Sequence, residues 1–283
     1  MIKFFRKIRQ NLLMENLPTG QVGKTGRYFK YAIGEIILVV VGILIAVQIN
    51  NWNQLNNRAQ LEKTLLEQLK IEVLNVYGDI YSDFNVLELG SMSHYNIIEY
   101  IEKDVAYNNR MCFDFAFIKD DEYIYPSIAT YSRIKEEGLD IISNDTIRRL
   151  TQGLYESGFP RMSKGNSFNP DISETWNEYY LEHFKLNTDY SLKYEHTFKS
   201  DTLSGEIYED GDRYPYERTR FGKKRIRTIG FVPLDFESLK KDHKFRLLLD
   251  QTHDYRRYKR RQYFFAKRRI KILINLIDKE LAK

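Results

Sequence analysis

A single cysteine in 283 residues, Cys112, leaves no partner for an internal disulfide and too few thiols for a cysteine-rich zinc site. With no histidine beside it in sequence, Cys112 is expected to fill space in a core. Histidines 94, 183, 196, 243 and 253 contain no H-x-x-x-H or H-E-x-x-H spacing, so no single helix presents two imidazoles to a metal. Asp120-Asp121-Glu122 offers hard oxygen ligands, but no Asp-x-Asp-x-Asp-Gly loop surrounds them, and a solvated turn is expected. A Gly-x-Ser-x-Gly elbow is missing. Ser132–Lys135 and Ser238–Lys241 match Ser-x-x-Lys by spacing, yet no Ser-Asp-Asn companion exists, and both read as helix surface. Gly20–Thr25 has the ending of a phosphate-binding loop, but Pro18 stands where its first glycine is required. No catalytic residue, cofactor or metal site follows from the sequence, and enzyme activity is not expected. Repeats and low-complexity tracts are also missing.

What is present is a long apolar run. Ile36–Val47 (IILVVVGILIAV) has no polar side chain, and the run extends over Tyr31–Ile49 with only Glu35 and Gln48 interrupting. At about 1.5 Å per residue it reaches roughly 28 Å, close to the ~30 Å of bilayer hydrocarbon. Tyr28, Phe29 and Tyr31 at one end and Trp52 at the other suit the membrane interfaces. A carboxylate costs about 2.5–3.5 kcal/mol at mid-bilayer, but Glu35 sits one turn inside the boundary. Ten Ile, Leu and Val side chains between 36 and 47 supply roughly −3 to −6 kcal/mol on the same scale. A transmembrane helix at 31–49 is expected. Glu35 is the candidate intramembrane polar contact, either to headgroups or to another helix. No A-x-A-like cleavage site follows, so an uncleaved signal anchor fits better than a signal peptide.

Charge is unevenly spread. The net +5 resides in residues 1–52, while 53–210 carry net −13 and 211–283 net +13. Lys24, Arg27 and Lys30 crowd the N-terminal flank of the apolar run, whereas Arg58 is the only basic residue between Ile49 and Lys63. The positive-inside rule then places the N-terminus in the cytoplasm and residues 53–283 outside it, periplasmic in a bacterium. Within the 1–30 stub, residues 1–15 align Phe5, Ile8 and Leu12 among Lys3, Arg6, Lys7 and Arg9, a pattern suited to a short helix on an anionic leaflet.

Residues 53–283 read as a mainly α, bundle-like domain. Leu66, Leu69, Val73, Val76, Ile80, Phe84 and Leu87 recur at helical spacing, with Gly90-Ser91 a plausible break before a further helix at Tyr95–Lys103. Ser127 suits an N-cap, Gly138 a C′ glycine, and Asn144 or Ser143 the next N-cap. Asp171 with Glu174 resembles a capping box ahead of Ile172, Trp176, Tyr179, Tyr180 and Phe184. Residues 186–232 are polar and suggest loops with a hairpin turning at Asp210-Gly211. Ala266, Ile270, Leu273, Ile277 and Leu281 form the last stripe. An acidic first helix and a basic last one are expected to pack antiparallel, stripe to stripe, with Leu281 near Leu55–Leu66.

The segments FFRKIRQNLL, GRYFKYAIGEIILVVVGILIAVQINNWN, YSRIKEEGLDIISN (Tyr131–Asn144) and LINLIDKEL resemble a family of uncharacterised single-pass membrane-anchored proteins common in flavobacteria and their relatives. The resemblance implies an inner-membrane anchor and a helical domain, and carries no activity or site residues. The basic run 256–271 interleaves arginines with Tyr and Phe, but the acidic first half offers intramolecular partners and the topology removes it from nucleic acid. The partners expected are the lipid bilayer and another envelope or membrane protein. A non-enzymatic interaction module is the first expectation, with a ligand-sensing ectodomain signalling through a partner and an envelope hydrolase as alternatives.

Overall fold

The computed structural model describes residues 24–164, 170–198, 201–209, 212–220 and 224–283, with the backbone alone over 24–31, 201–209 and 212–220. The basic helix expected at 1–15 and the turn residues Asp210-Gly211 lie outside the described residues. The chain divides into two compact units, Met1–Arg58 and Ala59–Lys283. Helix α1, Lys24–Glu102, contributes to both.

In the first unit, α1 leaves Ile36, Ile37, Ile43 and Leu44 exposed. This helix is long and apolar enough to cross a membrane, and none of its apolar window is buried inside the chain. A core helix of a soluble protein would be covered by other elements. Glu35 is exposed on the same helix.

In the second unit, α1 and the last long helix, α7 (His243–Leu281), run antiparallel. Positions 66, 69, 73, 76, 80, 83, 87, 90 and 94 of α1 step by three or four, and every one is buried. Positions 245, 249, 252, 256, 259, 263, 266, 270, 273 and 277 of α7 follow the same rule and are also buried. A seven-residue repeat of this kind keeps one stripe of each helix on the other over many turns. Two contacts fix the register: Tyr263 Oη lies 3.2 Å from Asp83 Oδ2, and Arg256 is seated on Gly90. Residue numbers add to 346 in both pairs, and the same register sets Leu69 beside Ile277 and Val73 beside Leu273, all members of one core. A Lys70–Asp278 ion pair at one end and Arg246–Glu102 at 3.7 Å at the other follow the antiparallel order. Leu61 and Leu281 close the core where the two helices meet.

The helix does not break at Gly90-Ser91. It continues to Glu102 because Gly90 is on the buried stripe, where a β-carbon would stand 2.5 Å from Arg256 Nε and 2.7 Å from its Cζ. The glycine admits a guanidinium rather than ending a helix.

Short elements bridge the two long helices. Helix α2 (Cys112–Phe117), α3 (Ala129–Glu136) and α4 (Asp145–Gly153) precede α5 (Ile172–His183), and α6 (Phe236–Lys241) precedes α7. Asn144, not Ser143, caps α4, accepting from the amides of Thr146 and Ile147 at 3.0 and 3.2 Å. Ser143 instead donates its amide and hydroxyl to Glu62 of α1 at 2.7 and 2.8 Å. The start of α3 is likewise served from outside, since Glu72 accepts from Thr130 N at 3.2 Å and from Ser127 Oγ at 2.8 Å. Acidic residues of α1 thus cap short helices as well as facing the basic helix. Gly138 follows α3 at φ 91°, the left-handed turn expected of it. Asp171 caps α5 through Glu174 N at 3.0 Å, and Ile172, Trp176, Tyr179, Tyr180 and Phe184 enter a second core with α6 and the start of α7.

Between α5 and α6 the chain forms a nested antiparallel hairpin. Strand β1 (Phe184–Leu186) pairs with β6 (Phe231–Pro233), β2 (Tyr194–Thr197) with β5 (Lys224–Arg227), and β3 (Asp201–Glu209) with β4 (Asp212–Arg220). Facing residue numbers add to 417 in the outer pair and 421 in both inner pairs, so four extra residues are taken up by the longer limb, 187–193 against 228–230. The region expected at 186–232 to be loops with a hairpin is therefore strand pairing over most of its length. A third core of Tyr81, Val86, Leu89, Phe113, Phe117 and Phe198 ties its base to α1 and α2.

Gly90→Ala tests the register. On an exposed helix the change stabilises by up to about 1 kcal/mol; here overpacking against Arg256 is expected to cost about 1–3 kcal/mol, read from urea unfolding of the full chain in detergent micelles.

Candidate functional site

The acidic turn after α2 is not the solvated loop expected of Asp120-Asp121-Glu122. Asp121 and Lys259 form an ion pair in which each side chain is 2% exposed. Asp121 also accepts from Tyr123 Oη at 2.8 Å, Ile172 N at 2.8 Å and Glu122 N at 2.9 Å, and the Lys259 ammonium lies 4.1 Å from the Tyr123 ring centre. Burying two ions costs several kcal/mol each unless their hydrogen bonds are met, and here they are. One turn away, Arg256 is fully buried and donates to the carbonyls of Ile118 (2.9 Å) and Asp120 (3.3 Å). Burial pulls its guanidinium down to about 10. The turn is held by cations of α7 on its backbone and on its central carboxylate.

Asp83 sits on the same seam. Burial first, then the neighbouring Glu122 carboxylate, push it up from an ordinary 3.8 to about 8. The hydrogen-bond geometry accommodates a protonated Asp83. Tyr263 has one phenolic proton, yet it lies 3.2 Å from Asp83 Oδ2 and 3.1 Å from the Glu122 carbonyl, both acceptors when Asp83 is ionised. A protonated Asp83 donates to the phenol, which then donates to the carbonyl.

Beyond the turn a cavity of about 290 Å³ opens against the base of the β-hairpin. Leu89, Phe117 and Ile226 supply apolar wall, Tyr194 and His196 aromatic edges, and Asp120, Asp121, Glu122, Arg225 and Arg227 the charge. Arg227 pairs with Asp120 and covers the Phe117 ring at 5.0 Å. Arg225 and Glu122 approach only to 3.8 Å, and burial raises the Glu122 carboxyl above its usual range.

The other candidates take ordinary places. His94 and His253, far apart in sequence, stack at 3.9 Å and 15°, with Tyr95 Oη 3.4 Å from His253 Nε2. Rings packed face to face aim their lone pairs alongside one another, not at a common point, and burial lowers both, His253 to about 4. No group of three or more His, Cys, Asp or Glu suited to a metal occurs among the described residues. Ser238 Oγ donates to the α6 cap Asp235 at 2.6 Å, and Lys135 lies over the Tyr131 ring, so neither Ser-x-x-Lys pair forms a nucleophile with its base. Cys112 is buried, with its thiol pushed up to about 11.

The basic run 256–271 divides by helical phase. Arg256 and Lys259 face inward, Arg260 lies over the Phe84 ring at 5.4 Å, and Lys267 and Lys271 lie over Tyr77 at 5.8 and 5.5 Å. The opposite side carries Arg261, Phe264, Phe265, Arg268, Arg269 and Ile272, all exposed. These six step by three and one, a continuous stripe pointing away from the core. Two of its aromatics remain 57% and 42% exposed.

Lys259→Met, which strands Asp121 without its counter-ion, should cost about 3–5 kcal/mol. Asp121→Asn/Lys259→Met should lose less than the two single changes together, because neither ion is then left alone. Strict additivity in urea unfolding would contradict a coupled pair. Asp83→Asn addresses the raised carboxyl. A folded-state value near 8 against 3.8 unfolded contributes stability in full below pH ~4 and loses it as pH rises to ~8. Thermal midpoints measured between those limits should fall for the parent and stay flatter for Asp83→Asn.

Among known proteins, no curated protein and no solved structure matches the chain. Residues 35–119, from Glu35 in the apolar segment through α1 and α2 to the residue before the acidic turn, match DUF6090, a family of unknown function.

Proposed function

We propose that the chain is a single-pass, membrane-anchored, non-enzymatic interaction module, held in the bacterial inner membrane by its apolar helix with Ala59–Lys283 in the periplasm. The exposed stripe on α7 carries this reading. Arg261, Phe264, Phe265, Arg268, Arg269 and Ile272 combine arginines with large aromatic and aliphatic side chains, the composition of energetically dominant interface residues. Arg268 and Arg269 form no ion pair among the described residues, so their charge faces outward. The partner is an envelope protein with an acidic surface bordering an apolar one, since charge complementarity would orient it and ring burial would hold it. The anchor supplies the second element, because confinement to a membrane raises the effective concentration of a partner in the same envelope. Orientation follows from Lys24, Arg27 and Lys30 ahead of the apolar run. Glu35 is then either at the headgroups or against a partner helix.

A photo-crosslinking residue at Phe264 should capture one defined envelope protein in living cells, and the same residue at Leu181, 86% exposed elsewhere on the domain, should not. Arg261→Glu/Arg268→Glu should remove the adduct. Equal labelling from both positions would contradict the face assignment. A reporter fused after Lys283 should be active only if it works outside the cytoplasm; activity of a cytoplasm-dependent reporter there would reverse the topology.

A further inference from the structure

We infer that the cavity between the acidic turn and the β-hairpin base binds a small zwitterion of the α-amino-acid class through Glu122 and Arg225. The charges around the cavity lead to that class. Four of the ionised groups bordering the cavity or its floor are already matched: Asp121 by Lys259 and Asp120 by Arg227. Glu122 and Arg225 are the pair left over. Their closest atoms are 3.8 Å apart, beyond hydrogen-bond length, and neither side chain makes a hydrogen bond to another described residue. Both remain accessible, Arg225 at 48% and Glu122 at 35%.

A simple anion entering here would gain Arg225 but meet three carboxylates, and a simple cation would gain Glu122 but meet two guanidiniums. A molecule with both signs one carbon apart satisfies each. Its carboxylate takes the planar fork of Arg225, a geometry that favours two parallel hydrogen bonds. Its ammonium takes Glu122, and the new positive charge favours the ionised form of a carboxyl that burial had raised. The Phe117 ring, Ile226 and the Tyr194 ring then line the place of the ligand's side chain, so an apolar or aromatic one is preferred over a charged one. At about 290 Å³ the cavity stands at the small end of ligand sites. That volume is enough for a single amino acid.

This site uses none of the outward stripe on α7, so its success or failure is independent of the partner proposed for that face. Calorimetry on the full chain in detergent micelles, at neutral pH, tests it with L-phenylalanine, L-leucine, L-phenylalanine amide and N-acetyl-L-phenylalanine. Saturable binding of the two zwitterions is expected, with the amide and the N-acetyl form each weakened by at least about tenfold, or ~1.4 kcal/mol. Glu122→Gln and Arg225→Gln, both partly exposed, should each weaken L-phenylalanine by a similar factor while each variant keeps a cooperative unfolding transition. Absence of saturable binding by both zwitterions overturns the inference. Equal binding of the zwitterion and its two blocked forms also overturns it, and that comparison needs no variant to fold.

Discussion

Two long helices must bury matching stripes against each other, antiparallel and in a single register, and the other elements of the second unit are placed by that requirement. The apolar layers, such as Leu69 with Ile277, supply the stabilisation, because a buried aliphatic side chain is worth roughly 1.5–3 kcal/mol. They do not supply uniqueness, since one Leu or Ile layer resembles the next. The polar layers do. Arg256 fits only where the facing residue is Gly90, Tyr263 only where Asp83 stands, and Lys259 only where the turn delivers Asp121. A slip of one heptad would bury each of these groups without its counterpart, at a penalty larger than any apolar layer could return. Charge selects the register that apolar burial stabilises.

The same polar layers shape the surface features on which the proposed functions rest. Arg256 grips the backbone at Ile118 and Asp120, which fixes the acidic turn, and the fixed turn aims Asp120 and Glu122 into the cavity beside the hairpin base. The hairpin reaches that position because its outermost strands extend directly from α5 and precede α6. On α7, devoting one side to the seam leaves the other side as an uninterrupted stripe of arginine and aromatic residues. The proposed interaction face and the proposed ligand cleft thus share one scaffold, the first on the basic helix and the second beside the turn that this helix holds.

Much of this architecture can be read from the sequence, and the places where the reading fails share one cause. The apolar stripes, Gly138 and the caps Asn144 and Asp171 depend on neighbours a few residues away, and periodicity or cap chemistry exposes them. Gly90 reads as a break and Asp120–Glu122 as a solvated turn because each answers to a residue far along the chain, Arg256 or Lys259. A signal does exist. Arg256 and Lys259 extend the very stripe that becomes Ala266, Ile270 and Leu273, and Asp83, Gly90 and His94 extend that of Leu69, Val73 and Val76. A charge or a glycine in phase with a core stripe marks a buried partner on the opposing helix. The cavity has no such signal, since its wall joins residues of α1, α2, the turn and two strands.

Spin-label distances read the antiparallel register of α1 and α7 without disturbing it. Ile71, Lys244 and Lys279 are exposed, so labels there leave the core intact, and buried Cys112 stays unlabelled. Lys244 and Lys279 are separated by 35 residues of one helix, about 52 Å at about 1.5 Å per residue. With facing residue numbers adding to 346, Ile71 lies beside the Lys279 end. This register predicts an Ile71–Lys279 distance under about 30 Å, given helix axes about 8–10 Å apart plus label arms, and an Ile71–Lys244 distance of about 45–50 Å. Comparable distances for the two pairs, or the reverse order, would contradict it.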